Sequence, residues 1–143
     1  VAMGAIAAFA AATPVAAHDL TVVVTNVRNN HGMVHVDLCR ETEFLKDCAL
    51  SAEAKAVTGT TTVVIHNVSP GIYGIQATQD ENNNKKVDRG FFGIPKEGVG
   101  FSNDAPISFG PPKWKAAMFA VGAGDKTVTL KMRYMTGPSG PAR

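Results

Sequence analysis

From residue 20 onward, apolar and β-branched residues recur in short alternating runs separated by turn residues. The runs are LTVVVTNV, MVHVDLC, TTTVVIHNV, IYGIQATQ, AAMFAV and KTVTLKMRY. Successive side chains of a strand point to opposite faces, so this alternation predicts strands with one packed and one wet side. The last run is the cleanest, with Val128, Leu130, Met132 and Tyr134 on one side and Thr127, Thr129, Lys131 and Arg133 on the other. Between the first two runs, Arg28-Asn29-Asn30-His31-Gly32 has the composition of a compact turn, which predicts an antiparallel hairpin. Six or seven strands in a chain of this size predict an all-β fold, a single antiparallel β-sandwich of about seven strands.

Two stretches break the pattern. Residues 41–58, ETEFLKDCALSAEAKAVT, are rich in Ala, Glu, Lys and Leu, and a short helix and a covering loop both remain open there. The span from Asp80 to about Lys115 is longer than an ordinary connection. Loops of that length are usually functional or tied down, so one long ordered loop is expected. At the ends, residues 1–17, VAMGAIAAFAAATPVAA, are uncharged and close on the small-residue pattern Val15-Ala16-Ala17 that suits signal cleavage. Pro14 and the following His18-Asp19 argue against a membrane-spanning helix. The expected organisation is a partial signal peptide at 1–17, a sandwich domain at 18–135 and a disordered tail at 136–143, in a periplasmic or secreted protein. The part after the leader is roughly 125 residues, about the commonest size for one domain.

Composition narrows the chemistry. Lys and Arg number 14 against 12 Asp and Glu, a formal net charge of +2, and only Lys85-Lys86 are adjacent basic residues. No basic stripe with stacking aromatics is present, so nucleic acid is not an expected partner. In an oxidising compartment the two cysteines, Cys39 and Cys48, are expected to form a structural disulfide worth about 2–3 kcal/mol. No nucleophile elbow, zinc-protease helix or phosphate-cradling glycine loop occurs, and the chain is read as a non-enzyme.

The stretch DENNNKKVDRG, residues 80–90, is the main candidate for a site. Asp80, Asn82, Asn84, Lys86 through its carbonyl, and Asp88 fall at alternate positions, as oxygens do in a loop that curls around calcium. Lys85 stands where such loops place glycine and Phe91 where they place a closing glutamate. A solvated polar turn is the competing reading. In GFFGIPKEGVGFSN, residues 90–103, a packed surface loop or a recognition loop is expected, with Lys96 and Glu97 as its charged tip and Phe101, Ser102 and Asn103 as further contacts. Ser102, Asn103 and Asp104 are placed to add oxygens to an ion held at 80–88.

The run NVSPGIYGIQATQDENNNKKVDRGFFGIPKEGVGFSN, with the strands after it, resembles the bacterial exported family called Domain of Unknown Function 2141. The likeness runs from LTVVVTNV to KMRY. It implies a small exported sandwich, prealbumin-like and similar to transthyretin-like modules in its N-x-x-P-G-x-Y turn at Asn67 to Tyr73. It implies no reaction.

Two other chemistries stay in view. If cleavage follows Ala17, His18 becomes an N-terminal histidine of the kind that binds copper(II) through amine and imidazole. A small hydrolase would draw on Asp80, Asp88 or Glu97. Trp114, between Lys113 and Lys115, is either a carbohydrate platform or an edge anchor. The expected partner class is an envelope protein or glycan.

Overall fold

A computed structural model describes residues 18–84, 97–107 and 110–141. Eight strands are seen among them: β1 (His18–Val27), β2 (Met33–Cys39), β3 (Leu50–Lys55), β4 (Gly59–Val68), β5 (Gly71–Asp80), β6 (Gly98–Phe101), β7 (Phe119–Val121) and β8 (Lys126–Lys131). A 3-10 turn at Ser102–Asp104 and one short helix, α1 (Trp114–Ala117), are the helical pieces. The strands form a three-stranded sheet, β4-β1-β8, and a five-stranded sheet, β3-β2-β5-β6 with β7 also pairing β5. This is an all-β sandwich.

The core follows from the alternation. Leu20, Val22 and Val24 of β1, Val63 and Ile65 of β4, and Leu130 of β8 point inward from one sheet. Val34, Val36 and Leu38 of β2 and Tyr73, Ile75 and Ala77 of β5 meet them from the other. In β8 the two faces divide as its pattern predicts, Leu130, Met132 and Tyr134 being buried and Thr127, Thr129 and Lys131 exposed. A two-way backbone pairing joins the sheets along one side: Val99 N–H donates to Arg133 O at 2.9 Å and Arg133 N–H to Val99 O at 2.8 Å.

Four expectations are corrected. The first two strands do not form a hairpin: β1 pairs β4 antiparallel and β8 parallel, whereas β2 pairs β3 and β5. The turn at 28–32 is tight, with Asn29 Oδ1 accepting the His31 N–H and Gly32 at φ 68°, but it carries the chain from one sheet to the other. Turn composition fixes a bend and leaves open which sheet receives the next strand. Second, the β1–β8 pair makes the three-stranded sheet mixed rather than wholly antiparallel.

Third, residues 41–58 are a covering loop only as far as 49, and a strand that neither reading included, β3, follows. Leu50, Ala52 and Ala54 pack on the core while Ser51, Glu53 and Lys55 face solvent, a period of two masked by helix-forming residue types. Fourth, part of the expected disordered tail is held. Arg28 Nη1 donates to Thr136 O at 2.6 Å and Asn26 Nδ2 to Ser139 O at 3.0 Å.

The expected Cys39–Cys48 disulfide is present, with Cα atoms 5.1 Å apart. It closes a loop on the outer face of the five-stranded sheet. There Phe44 packs edge-on against Phe101 and Trp114, with ring centroids 6.1 and 5.5 Å away, over Cys39, Ala105 and Ala117. Glu43 ties this loop down, accepting the N–H groups of Arg40 and Ala49 at 2.9 and 2.7 Å, bonds that hold its carboxyl below the ordinary value. Among the described residues, no helix is long and apolar enough to cross a membrane.

Candidate functional site

The candidate loop leaves the sandwich at the end of β5, where a buried polar network fastens its root. The inward face of β5 reads Tyr73, Ile75, Ala77 and then Gln79, which is fully buried. A buried amide must be satisfied. Gln79 Nε2 donates to Asn29 Oδ1 at 2.8 Å, and its Oε1 accepts from the Tyr134 hydroxyl. That hydroxyl accepts the Arg28 backbone N–H at 2.9 Å, and burial pushes its pKa up to about 12, so it stays neutral and donating. The Arg28 guanidinium lies 4.4 Å over the Tyr134 ring, and its Nε donates to Glu81 Oε1 at 2.7 Å. Asn29 Nδ2 reaches the other oxygen of Glu81 at 3.2 Å. Gly32 completes the root: a Cβ there would stand 1.8 Å from Asp80 O, so only glycine lets the 28–32 turn press against β5.

Above this root the loop curls around its first carboxylate. Asp80 is buried, at 6% exposure, although it stands on the outer face of the sheet. Its Oδ1 accepts the Asn84 N–H at 3.1 Å and its carbonyl accepts the Asn83 N–H at 3.2 Å. Asn82 Oδ1 also faces the Asn84 N–H, at 3.3 Å. The bend passes through Asn83 at φ 52°, a left-handed conformation that asparagine tolerates better than most residues. Asp80, Asn82 and Asn84 are thus gathered in one tight curl. Lys86, Asp88 and Lys96 lie outside the described residues, as do Lys85 and Phe91.

Glu97 is not the exposed tip that the sequence suggests. It is buried, at 4% exposure. The β5–β6 register pairs Gln79 with Gly98, so the next residues outward are Asp80 on one strand and Glu97 on the other. Gly98 draws the chain in, since a Cβ there would stand 2.5 Å from the Tyr134 ring. Two buried carboxylate residues thus lie just beyond the last β5–β6 pair, one on each side.

Ser102, Asn103 and Asp104 do not join them. They follow the far end of β6, about 13 Å of strand away. Ser102 is buried as a latch, with Oγ accepting the Ile75 N–H at 2.9 Å and donating to Ala117 O at 2.5 Å. Asn103 Nδ2 donates to Ala116 O and Met118 O, and Asp104 Oδ1 accepts the Lys131 N–H. Phe101 packs on Phe44. These residues hold α1 and β8 in place and are spoken for by structure.

The histidines are dispersed. His18 Nδ1 lies 3.2 Å from Asp125 Oδ1, and His66 Nδ1 lies 3.0 Å from Asp19 Oδ1. His35 sits between two carboxylates, with Nε2 2.8 Å from Asp37 Oδ1 and Nδ1 3.5 Å from Glu53 Oε2. The Asp37 bond, helped by Glu53, raises the His35 pKa against the opposing effect of burial. Among the described residues, no group of three or more His, Cys, Asp or Glu is arranged to hold a metal. Trp114 serves as an anchor against Phe44 and also borders a shallow groove with Arg40, Glu41, Thr42, Ile72 and Met118.

Residues 22–129, from the middle of β1 to the middle of β8, match a protein family described as "Uncharacterized protein conserved in bacteria (DUF2141)". The chain belongs to that family. The DUF2141 match takes in the whole loop, Arg28, Asn29 and Gln79 of its root, the Glu97–Gly98 approach and the Ser102 latch, and ends before Tyr134. No curated protein and no solved structure matches the chain. Two parts of this site escaped the sequence reading. The inward parity of Gln79, on the face of Tyr73, Ile75 and Ala77, was a readable signal for the network. The close approach of Gly98 to Tyr134, more than thirty residues away, had no local signal.

Proposed function

We propose that this chain is a non-catalytic, exported module of the bacterial cell envelope whose loop at 80–88 binds calcium and presents the following segment to an envelope protein or glycan. One observation carries the reading: the chain from Asp80 to Asn84 is curled with the Asp80 carboxylate turned in, next to the point where β5 and β6 stop pairing. The donors are carboxylate and amide oxygens, which suit a hard cation, and calcium tolerates the irregular geometry of such a loop better than magnesium does. The fixed root at Arg28, Gln79 and Tyr134 favours binding, because less of the loop has to be ordered when the ion arrives.

The test is a calorimetric titration of the purified protein with calcium chloride, alongside Asp80→Asn. That variant keeps an oxygen for the Asn84 N–H and loses the charge. Wild type is expected to bind one ion, and Asp80→Asn to bind at least about tenfold more weakly, a loss of about 1.4 kcal/mol. Equal binding by both proteins, or none by wild type, contradicts the reading. Export has its own check: the intact mass of the protein recovered from the envelope fraction should begin at His18.

A further inference from the structure

The edges of the two sheets are guarded in different ways, and one is left open. A strand edge presents unpaired backbone N–H and C=O groups, and folded proteins blunt such edges with charge, proline, bulges, shortness or a covering segment. β3 is six residues long and carries Glu53 and Lys55. β7 is three residues long, and Lys126 Nζ covers it by donating to Ala120 O at 2.8 Å. The outer edge of β8 is occupied, with the Lys131 N–H given to Asp104 Oδ1 at 2.8 Å and the adjoining Arg133 paired to Val99. β6 is closed by that same pairing.

Among the described residues β4 is the least guarded, its one irregularity being a bulge near its end at His66 and Asn67, where Asn67 has φ 60°. Gly59–Val68 is ten residues long, pairs among the described residues only with β1, and contains no Lys, Arg, Asp, Glu or Pro. Its register with β1 is regular from Thr60 to Ile65 apart from the shifts at the ends of the pair. That stretch, TTTVVI, combines high β-propensity with no charge, the composition that favours strand addition.

We infer that β4 is a self-association edge: a second copy of this chain pairs its β4 antiparallel to the first across a two-fold axis, joining the two three-stranded sheets into one of six. A second copy fits better than a charged peptide because the edge offers no charge to select one. Antiparallel pairing about any two-fold axis near Val63 sets Thr60, Thr62, Val64 and His66 against the same residues of the other copy. No Lys, Arg, Asp or Glu meets its like, and threonine and valine pairs across strands are favourable. One strand pair buries less surface than a standard interface, so the dimer is weak and dependent on concentration.

The experiment is sedimentation velocity on the purified protein from about 5 to about 500 μM, a range that brackets weak to moderate dimers. Two single variants accompany it. Thr62 and Thr129 flank the same residue, Val23, on the two strands either side of β1, and both are exposed. Wild type and Thr129→Lys are expected to shift from monomer to dimer along the same curve. Thr62→Lys, which opposes like charges near the axis, is expected to stay monomeric while keeping its circular dichroism spectrum. A wild type that remains monomeric throughout overturns the inference, as does a Thr62→Lys curve that matches wild type or that Thr129→Lys reproduces. Should Thr62→Lys fail to fold, amide exchange on wild type decides: protection that rises with concentration on β4 alone supports the interface, and unchanged β4 protection overturns it.

Discussion

On the outer face of the three-stranded sheet, Thr21, Thr25, Thr60, Thr62, Thr127 and Thr129 stand around Val23 and Val64, with Lys131 at one corner. On the outer face of the five-stranded sheet stand His35, Asp37, Glu53, Gln76 and Asp80, and the disulfide loop and α1 roof the rest. The two faces back onto the same core. The first is mostly a plain surface of β-formers, with Thr25 Oγ1 donating to Leu130 O at 3.3 Å. The second carries the His35–Asp37–Gln76 network that holds the disulfide loop, and the candidate loop grows from its rim. Burying polar groups demands partners at fixed places, which makes this face rigid and able to hold a site.

Substitutions on the two faces should therefore differ in cost. The largest effect is expected from Cys39→Ser together with Cys48→Ser, which frees the roof of the five-stranded sheet. A loss of about 2–4 kcal/mol in urea unfolding is predicted. Next is Ser102→Ala, which strips the buried Ile75 N–H and Ala117 O of their shared partner and should cost about 2 kcal/mol. A cost below about 0.5 kcal/mol, the level expected of ordinary surface positions, would mean that this latch is decorative.

His35 provides a pH-dependent test of the same face. Its pKa is raised in the folded state by Asp37 and Glu53, so the folded protein holds the proton more tightly than the unfolded chain. That stabilisation is complete below its ordinary value of 6.5 and is lost as pH rises through the raised value. The urea midpoint should therefore fall as the pH is raised above 6.5, by less than about 1 kcal/mol because the pair is partly exposed and screened. In His35→Gln that part of the decline should vanish. Asp37 also accepts from Gln76, which holds the disulfide loop through Leu45 N–H and Lys46 O, so loss of the charge should be felt there by amide exchange. The smallest effect is expected on the plain face, where Thr129→Val should change stability by less than about 0.5 kcal/mol.

The same contrast governs what the sequence discloses. Strands β1, β2, β4, β5 and β8 are legible because their alternation is local, and the Cys39–Cys48 pair because the chain holds only two cysteines. β3 hides behind Ala, Glu and Lys, whose helical preference is overridden by pairing with β2. The crossing from β1 to β2 is invisible in the turn itself, since the partner of β1 is decided by β4 and β8. At the loop, the curl at Asp80, Asn82 and Asn84 follows from short-range Asp and Asn chemistry and is readable. The root is not, because Arg28, Gln79 and Tyr134 meet only after both sheets have closed. Ser102 and Asn103 illustrate the reverse error: polar residues in a glycine-rich loop looked like ligands and are structural latches.

The central claim is that the curl at Asp80 is a calcium site, and thermal unfolding in calcium against a chelator tests it most directly. With a dissociation constant of about 10 μM, 1 mM calcium should stabilise the protein by about 2.7 kcal/mol, raising Tm by several degrees. Asp80→Asn should show much less of that rise. Superimposable melts of wild type in 1 mM calcium and in chelator would contradict the account and leave DENNN as a well-anchored polar turn.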